Sequence, residues 1–121
     1  MIGYAMFGTD NLVAASGFYD SVLKSVGIAR LMEFPTGAIA WGSSWEAPML
    51  AVGPPYDGGR ATAGNGTMLA LALDSRAKVD AIYPAALGAG GFDEGAPGVR
   101  GDDGAQAFYG GYFRDLDGNK L

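Results

Sequence analysis

Two residue types that carry much of enzyme chemistry are missing from this chain, which contains no histidine and no cysteine. Without imidazole there is no ordinary general base near neutral pH and none of the commonest metal ligand. Without a thiol there is no thiolate nucleophile, zinc thiolate or disulfide. The serines have no histidine to activate them. For acid–base work there remain Glu33, Glu46 and Glu94, of which Glu46, next to Trp45, would serve as a base if it pointed inward. For recognition there remain aromatic and cationic groups. Tyr4 offers either a hydroxyl that orients a ligand or a core aromatic bonded to a carbonyl. Trp41 and Trp45, four apart in a strand-like run, share a face on that reading, as a stacking wall or as an interface. Arg100, within Pro-Gly-Val-Arg-Gly-Asp-Asp-Gly, would meet a ligand carboxylate or pair in solvent with Asp102 or Asp103. Tyr109, Tyr112 and Phe113 follow on the next run.

Two patterns are set aside. Gly64-Asn65-Gly66 lacks the third glycine of a dinucleotide loop and follows a linker, so it is a turn. Asp115-Leu116-Asp117-Gly118 places its glycine three residues after the first Asp where a calcium loop needs five, and is a tight hairpin turn.

The 121 residues are 49% hydrophobic and 17% charged, enough for one domain with a real core. A net charge of −5 without a Lys/Arg cluster argues against nucleic acid. Met1–Asn11 lacks the charge and apolar run of a targeting peptide, and no stretch is long and apolar enough for a membrane span. The expectation is a cytoplasmic protein that engages no membrane.

The elements that must position these groups come from an internal repeat. Sliding the chain by 64 lays residues 3–27 over 67–91 without a gap, matching Asp10 with Asp74, Tyr19 with Tyr83, Leu23 with Leu87 and Gly27 with Gly91. Each copy reads strand, capping residue, amphipathic helix, terminal glycine. In the first, residues 2–8 are a strand, Thr9-Asp10-Asn11 a cap, and Leu12, Ala15, Tyr19, Val22, Leu23 and Val26 an apolar stripe. In the second, Met68–Leu73 is a strand, Asp74 or Ser75 the cap, and Val79, Ile82, Tyr83, Ala86 and Leu87 the stripe, with a kink expected at Pro84. Strand-like runs follow at 28–34, 38–45 and 47–53. After residues 54–66, a Pro/Gly/Asp-rich linker, the second half is weaker: residues 93–106 read as a long polar loop, 107–114 as a strand, and 119–121 as the start of a last one. The expected organisation is module one at 1–53, the linker, and module two at 67–121, folded together as a single domain.

Two βαβββ modules in tandem, with N-L-x-x-A-x-x-F-Y-D-x-V-L at 11–23 and R-D-L-D-G-N-K-L at 114–121, resemble the glyoxalase, bleomycin-resistance and extradiol-dioxygenase superfamily, the vicinal oxygen chelate proteins. Gly64-Asn65-Gly66-Thr67-Met68 and Glu94–Arg100 look like a glyoxalase-like subgroup. The resemblance implies an α+β fold in which the modules form an open, mixed-sheet barrel. It also implies a divalent ion held by the first and last strands of each module. Its ligand positions fall on Tyr4, Met68, a residue near Leu50, and a fourth just after Leu121. Tyr, Met and Leu do not replace His and carboxylate around such an ion, so no metal and no cofactor are expected.

By the period of two, Tyr4 and Met6 would line the pocket with Met68, Ala70 and Ala72, leaving Ala5, Phe7, Leu69 and Leu71 under the helices. The expected ligand contacts are Tyr4, Met6, Trp41, Leu50, Met68, Ala70, Arg100 and Tyr109. The leading function is metal-free binding of a small apolar or aromatic molecule between the modules. The alternatives are a lyase, isomerase or dioxygenase-type enzyme with relocated groups, for which the candidates are Tyr4 or Glu46 with Arg100, and a structural module whose barrel is filled by its own side chains. The resemblance further implies a homodimer.

Overall fold

Each half of the computed structural model, which describes residues 1–121, feeds an extended run into a capped helix. In module one, β1 (Tyr4–Gly8) leads to α1 (Leu12–Lys24), then β2 (Ala29–Glu33), β3 (Ile39–Gly42) and β4 (Met49–Gly53). In module two, α2 (Arg76–Gly88) leads to β5 (Phe92–Arg100) and β6 (Phe108–Arg114). The offset of 64 holds to the residue in both helices and in their caps. Asn11 accepts from the Ala14 amide at 3.1 Å, and Ser75 from the Lys78 amide at 3.2 Å, satisfying a free N–H of each first turn. Gly27 and Gly90 take positive φ, 81° and 100°, just past the helices, a conformation other residues resist.

Module one is a mixed sheet in the order β1-β4-β3-β2, with β1 parallel to β4. Gly53 closes it, because a Cβ there would lie 2.5 Å from that of Ala38. Module two departs from expectation at two places. The segment 93–106 is not one polar loop: Phe92–Arg100 is a strand antiparallel to β6. Its register shifts at Asp93/Gly95 and Gly95/Gly98 absorb the glycines and Pro97, which an edge strand with a single neighbour tolerates. Met68–Leu73, in contrast, forms no strand ladder, only a bridge from Met68 to Lys120. Its alternation survives, with Leu69, Leu71 and Leu73 half-buried and Met68, Ala70 and Ala72 exposed. As expected, Pro84 does not break α2, which runs on to Gly88 with Ile82 and Ala86 buried on either side.

One core serves both modules. Phe7, Phe18, Tyr19, Val22, Ile39, Trp41, Leu50 and Val52 join Ile82, Ala86, Phe113 and Leu121 in a single cluster. Its polar link is Asp115, 1% exposed, whose carboxylate accepts from the Tyr19 hydroxyl at 2.6 Å, the Asn119 side chain at 2.8 Å, and the Asp117 and Asn119 amides at 2.9 and 2.8 Å. Burial, and then the Asp115 charge, push the Tyr19 hydroxyl far above the ordinary tyrosine value of 10.

Tyr19→Phe leaves Asp115 one donor short and should destabilise the fold by ~1–3 kcal/mol in denaturant melts, with the far-UV spectrum unchanged. The same variant should lose less stability than the parent as pH rises past 10. Folded Tyr19 keeps its proton where the unfolded chain releases it, so its contribution is complete below pH 10 and declines above. Equal alkaline limbs in parent and variant would contradict this.

Candidate functional site

The register decides which side chains face together. Tyr4 stands opposite Met49, Ala5 opposite Leu50, and Met6 opposite Ala51. Tyr4, Met6, Met49 and Ala51 therefore share one face, and Leu50 lies on the other, under α1 with Phe7, Val52 and Trp41. The grouping of Leu50 with Tyr4 is thus corrected. Tyr4 and Met6 are 56% and 45% exposed and Met68 is 49% exposed, so this face is open rather than an enclosed barrel. The Tyr4 ring lies 6.3 Å from that of Phe34.

Trp41 and Trp45 do not form a shared wall. β3 ends at Gly42, leaving Trp45 63% exposed in the following turn, whereas Trp41 is buried against Tyr19. The Trp41 indole donates to Asp20 at 2.9 Å, and Arg30 grips the same carboxylate with two nitrogens at 2.8 and 2.7 Å. The Arg30 hydrogen bond, chiefly, holds Asp20 below the usual aspartate range.

Arg100 pairs with neither Asp102 nor Asp103. It donates to the Ala96 carbonyl at 2.8 Å and lies over the Tyr112 ring, with Lys120 also near that ring, while Asp103 pairs with Arg76. Tyr109 donates to Asp80 on α2 at 2.6 Å, with Arg76 over its ring. Glu46 is exposed, so it lies in no interior where it could act as a base.

Two cavities flank residues 69–73. One, of about 450 Å³, lies at the seam between the modules and is bounded by Ile2, Ala5, Leu23, Ile28, Trp41, Ser43, Ala47, Pro48, Met49 and Leu50 on one side and by Leu69–Leu73 on the other. The second, of about 390 Å³, lies between residues 68–73 and β6, over Val79 and Ile82 of α2. No charged side chain lines either. Of the expected contacts, the seam cavity gathers Trp41, Leu50 and Ala70, the second gathers Met68, Ala70 and Tyr109, and Tyr4, Met6 and Arg100 lie outside both. Ile2, Ile28, Ala47 and Pro48 carry no chemical signal in the sequence. The Leu/Ala alternation at 69–73 is the one feature that marks a wall with two sides.

The divalent ion implied by the resemblance does not fit these residues. The β4 positions that share the face of Tyr4 are Met49 and Ala51, which join Met68 in offering at most soft thioethers. No group of three or more His, Cys, Asp or Glu side chains converges anywhere.

No family sequence profile matches the chain, and no curated protein matches it. Solved structures do. A glyoxalase/bleomycin resistance protein from Albidiferax ferrireducens T118 is 34% identical over 99% of this chain and 94% of its own, with a TM-score of 0.86. A glyoxalase-related enzyme from Fulvimarina pelagi (23% identity, 99% and 84% coverage, TM-score 0.69) shares the fold. So does a glyoxalase/bleomycin resistance protein/dioxygenase family enzyme from Burkholderia phytofirmans PsJN (20%, 98% and 92%, 0.69).

Asp20→Asn weakens the grip of Arg30 and should cost no more than about 1 kcal/mol, because the pair is partly exposed and screened. Its signature is the acid limb. The parent's contribution from Asp20 is complete above the ordinary value near 3.8 and is lost as pH falls below it, so the variant's stability should fall less steeply there. Parallel acid limbs would remove Asp20 from the account.

Proposed function

Because the chain belongs to the glyoxalase/bleomycin resistance protein family, we propose that it binds a small, largely apolar or aromatic molecule in the seam cavity between its two modules, with no metal ion and no chemical conversion. The observation that carries this reading is the seam cavity itself. Its volume of about 450 Å³ lies within the range of small-molecule sites, and its walls are aliphatic side chains, the Met49 thioether, one indole and one hydroxyl, that of Ser43. A protein filled by its own side chains would have no such space. A relocated enzyme would need a base inside it, and no carboxylate lines it. The proposal extends to a homodimer in the cytoplasm.

Trp41 reports on the cavity. In a Trp45→Phe background, which removes the exposed indole, binding should change Trp41 emission saturably, in step with heat measured by calorimetry against a panel of aromatic and alicyclic compounds. Ala47→Phe, which narrows the cavity, should weaken binding about ten-fold or more with the melting temperature kept within a few degrees. Native mass spectrometry with metal analysis on the purified protein reads subunit number, bound molecule and ion together. A stoichiometric divalent ion, or Ala47→Phe binding as the parent does, would overturn the proposal.

A further inference from the structure

In the turn at Gly64–Thr67 a side-chain carboxamide and the backbone nitrogen that follows it, those of Asn65 and Gly66, are exposed and held by no hydrogen bond. The turn is closed only by the Thr67 amide on the Gly64 carbonyl at 3.4 Å, longer than an ordinary bond of about 2.9–3.0 Å. Gly64 and Gly66 take positive φ, 76° and 88°. Apart from its chain neighbours, no heavy atom lies within 4 Å of where Gly66 would carry a Cβ, so its nitrogen is unhindered on that side. The other two asparagines are held. Asn11 accepts from the Ala14 amide at 3.1 Å and precedes Leu12, and Asn119 is buried with its carboxamide donating to Asp115 at 2.8 Å.

The chain is anchored on both sides of this turn. Upstream, the Ala61 amide donates to the Asp10 carboxylate at 2.8 Å, and Ala63 lies against Gly118. Downstream, Met68 bridges to Lys120, and the Leu69 amide donates to the Lys120 carbonyl at 3.0 Å. That bond is the only backbone hydrogen bond made by residues 69–73, the segment that bounds the seam cavity. A change of main-chain length at residue 65 therefore has few residues in which to be absorbed, and the Leu69 bond, with no ladder beyond it, is the weakest hold.

We propose that Asn65 is a self-modification site, converting with Gly66 to isoaspartate and so releasing the wall segment from Lys120. The Gly66 nitrogen gives its proton to solvent base and attacks Cγ of Asn65. The bond from Cγ to the side-chain nitrogen breaks, and that nitrogen takes a proton from water and leaves as ammonia. A second water opens the cyclic imide at either carbonyl. Opening at the side-chain carbonyl gives aspartate, and opening at the main-chain carbonyl gives isoaspartate, which carries the chain through one further carbon, about 1.5 Å of added length. Either product takes the formal charge of −5 one unit further.

The test ages the full chain at mildly alkaline pH. Ion-exchange chromatography should show a growing, more acidic form, and peptide mapping should place the exchange of –NH2 for –OH at Asn65 and leave Asn11 and Asn119 intact. Asn65→Gln, whose ring has one more atom to close, should convert about ten-fold or more slowly. In the isoaspartyl form, amide exchange followed by NMR should be about ten-fold or more faster at Leu69 than in the parent. Freshly purified Asn65→Asp, with the charge but an ordinary backbone, should exchange at Leu69 as the parent does. An intact Asn65 under conditions that convert the free peptide Ala-Gly-Asn-Gly-Thr overturns the proposal. So does unchanged Leu69 exchange in the isoaspartyl form, or equally fast exchange in Asn65→Asp, which would make charge the cause.

Discussion

The carboxylate of Asp115 is the constraint on which the rest of the structure depends. It belongs to a turn of module two, yet one of its four hydrogen bonds comes from Tyr19, 96 residues earlier on α1. Two others fix the turn itself, and the Asn119 side chain adds a fourth. A buried acceptor is tolerated only when its lone pairs are met, so the bonds act as a set that ties α1 to this turn. Together they lead the chain into Leu121, which is buried in the shared core and paired with Phe113. Tyr19 packs against Trp41 and Phe18, so the same cluster ties the turn of module two to the core of module one.

The helices were legible because their information is local. Spacing of apolar residues, capping side chains and terminal glycines all act within about four residues, and the repeat doubled each signal. The turn at Asp115–Gly118 was legible for the same reason. That Asp115 would be buried under Tyr19 was not, since nothing in the neighbourhood of either residue refers to the other. The resemblance points to a ligand position near Leu50 but does not fix its face, which comes from pairing with Ala5. β5 escaped notice because its glycines and Pro97 carry the composition of a loop, while what makes it a strand is β6.

The distribution of charge explains why the interior is suited to an apolar guest. Asp20, Glu94 and Asp103 each meet an arginine at the surface, and those contacts hold all three carboxyls below their usual range. Trp41 borrows from one such pair. Its indole nitrogen is satisfied by Asp20, which leaves its carbon surface free to form a wall of the seam cavity without an unmet donor inside. In the proposed site, discrimination between guests would rest on shape and on desolvation, where each added or missing methylene is worth only ~1–3 kcal/mol.

That modest selectivity is sharpened by the backbone of residues 70–73. The Leu69 amide points to the Lys120 carbonyl, so by alternation Ala70 and Ala72 turn their polar groups the other way, toward the seam, and neither makes a backbone hydrogen bond. Both alanines are exposed, so water meets these groups when the cavity holds no guest. A purely hydrocarbon guest lying against them strips that water and returns nothing, at a cost of ~1–3 kcal/mol for each group left unmet. A guest with an apolar body and a donor or acceptor along one edge avoids the cost. In the proposed site the strand-like segment without a ladder would therefore join the Ser43 hydroxyl in orienting a guest, within walls that are otherwise apolar.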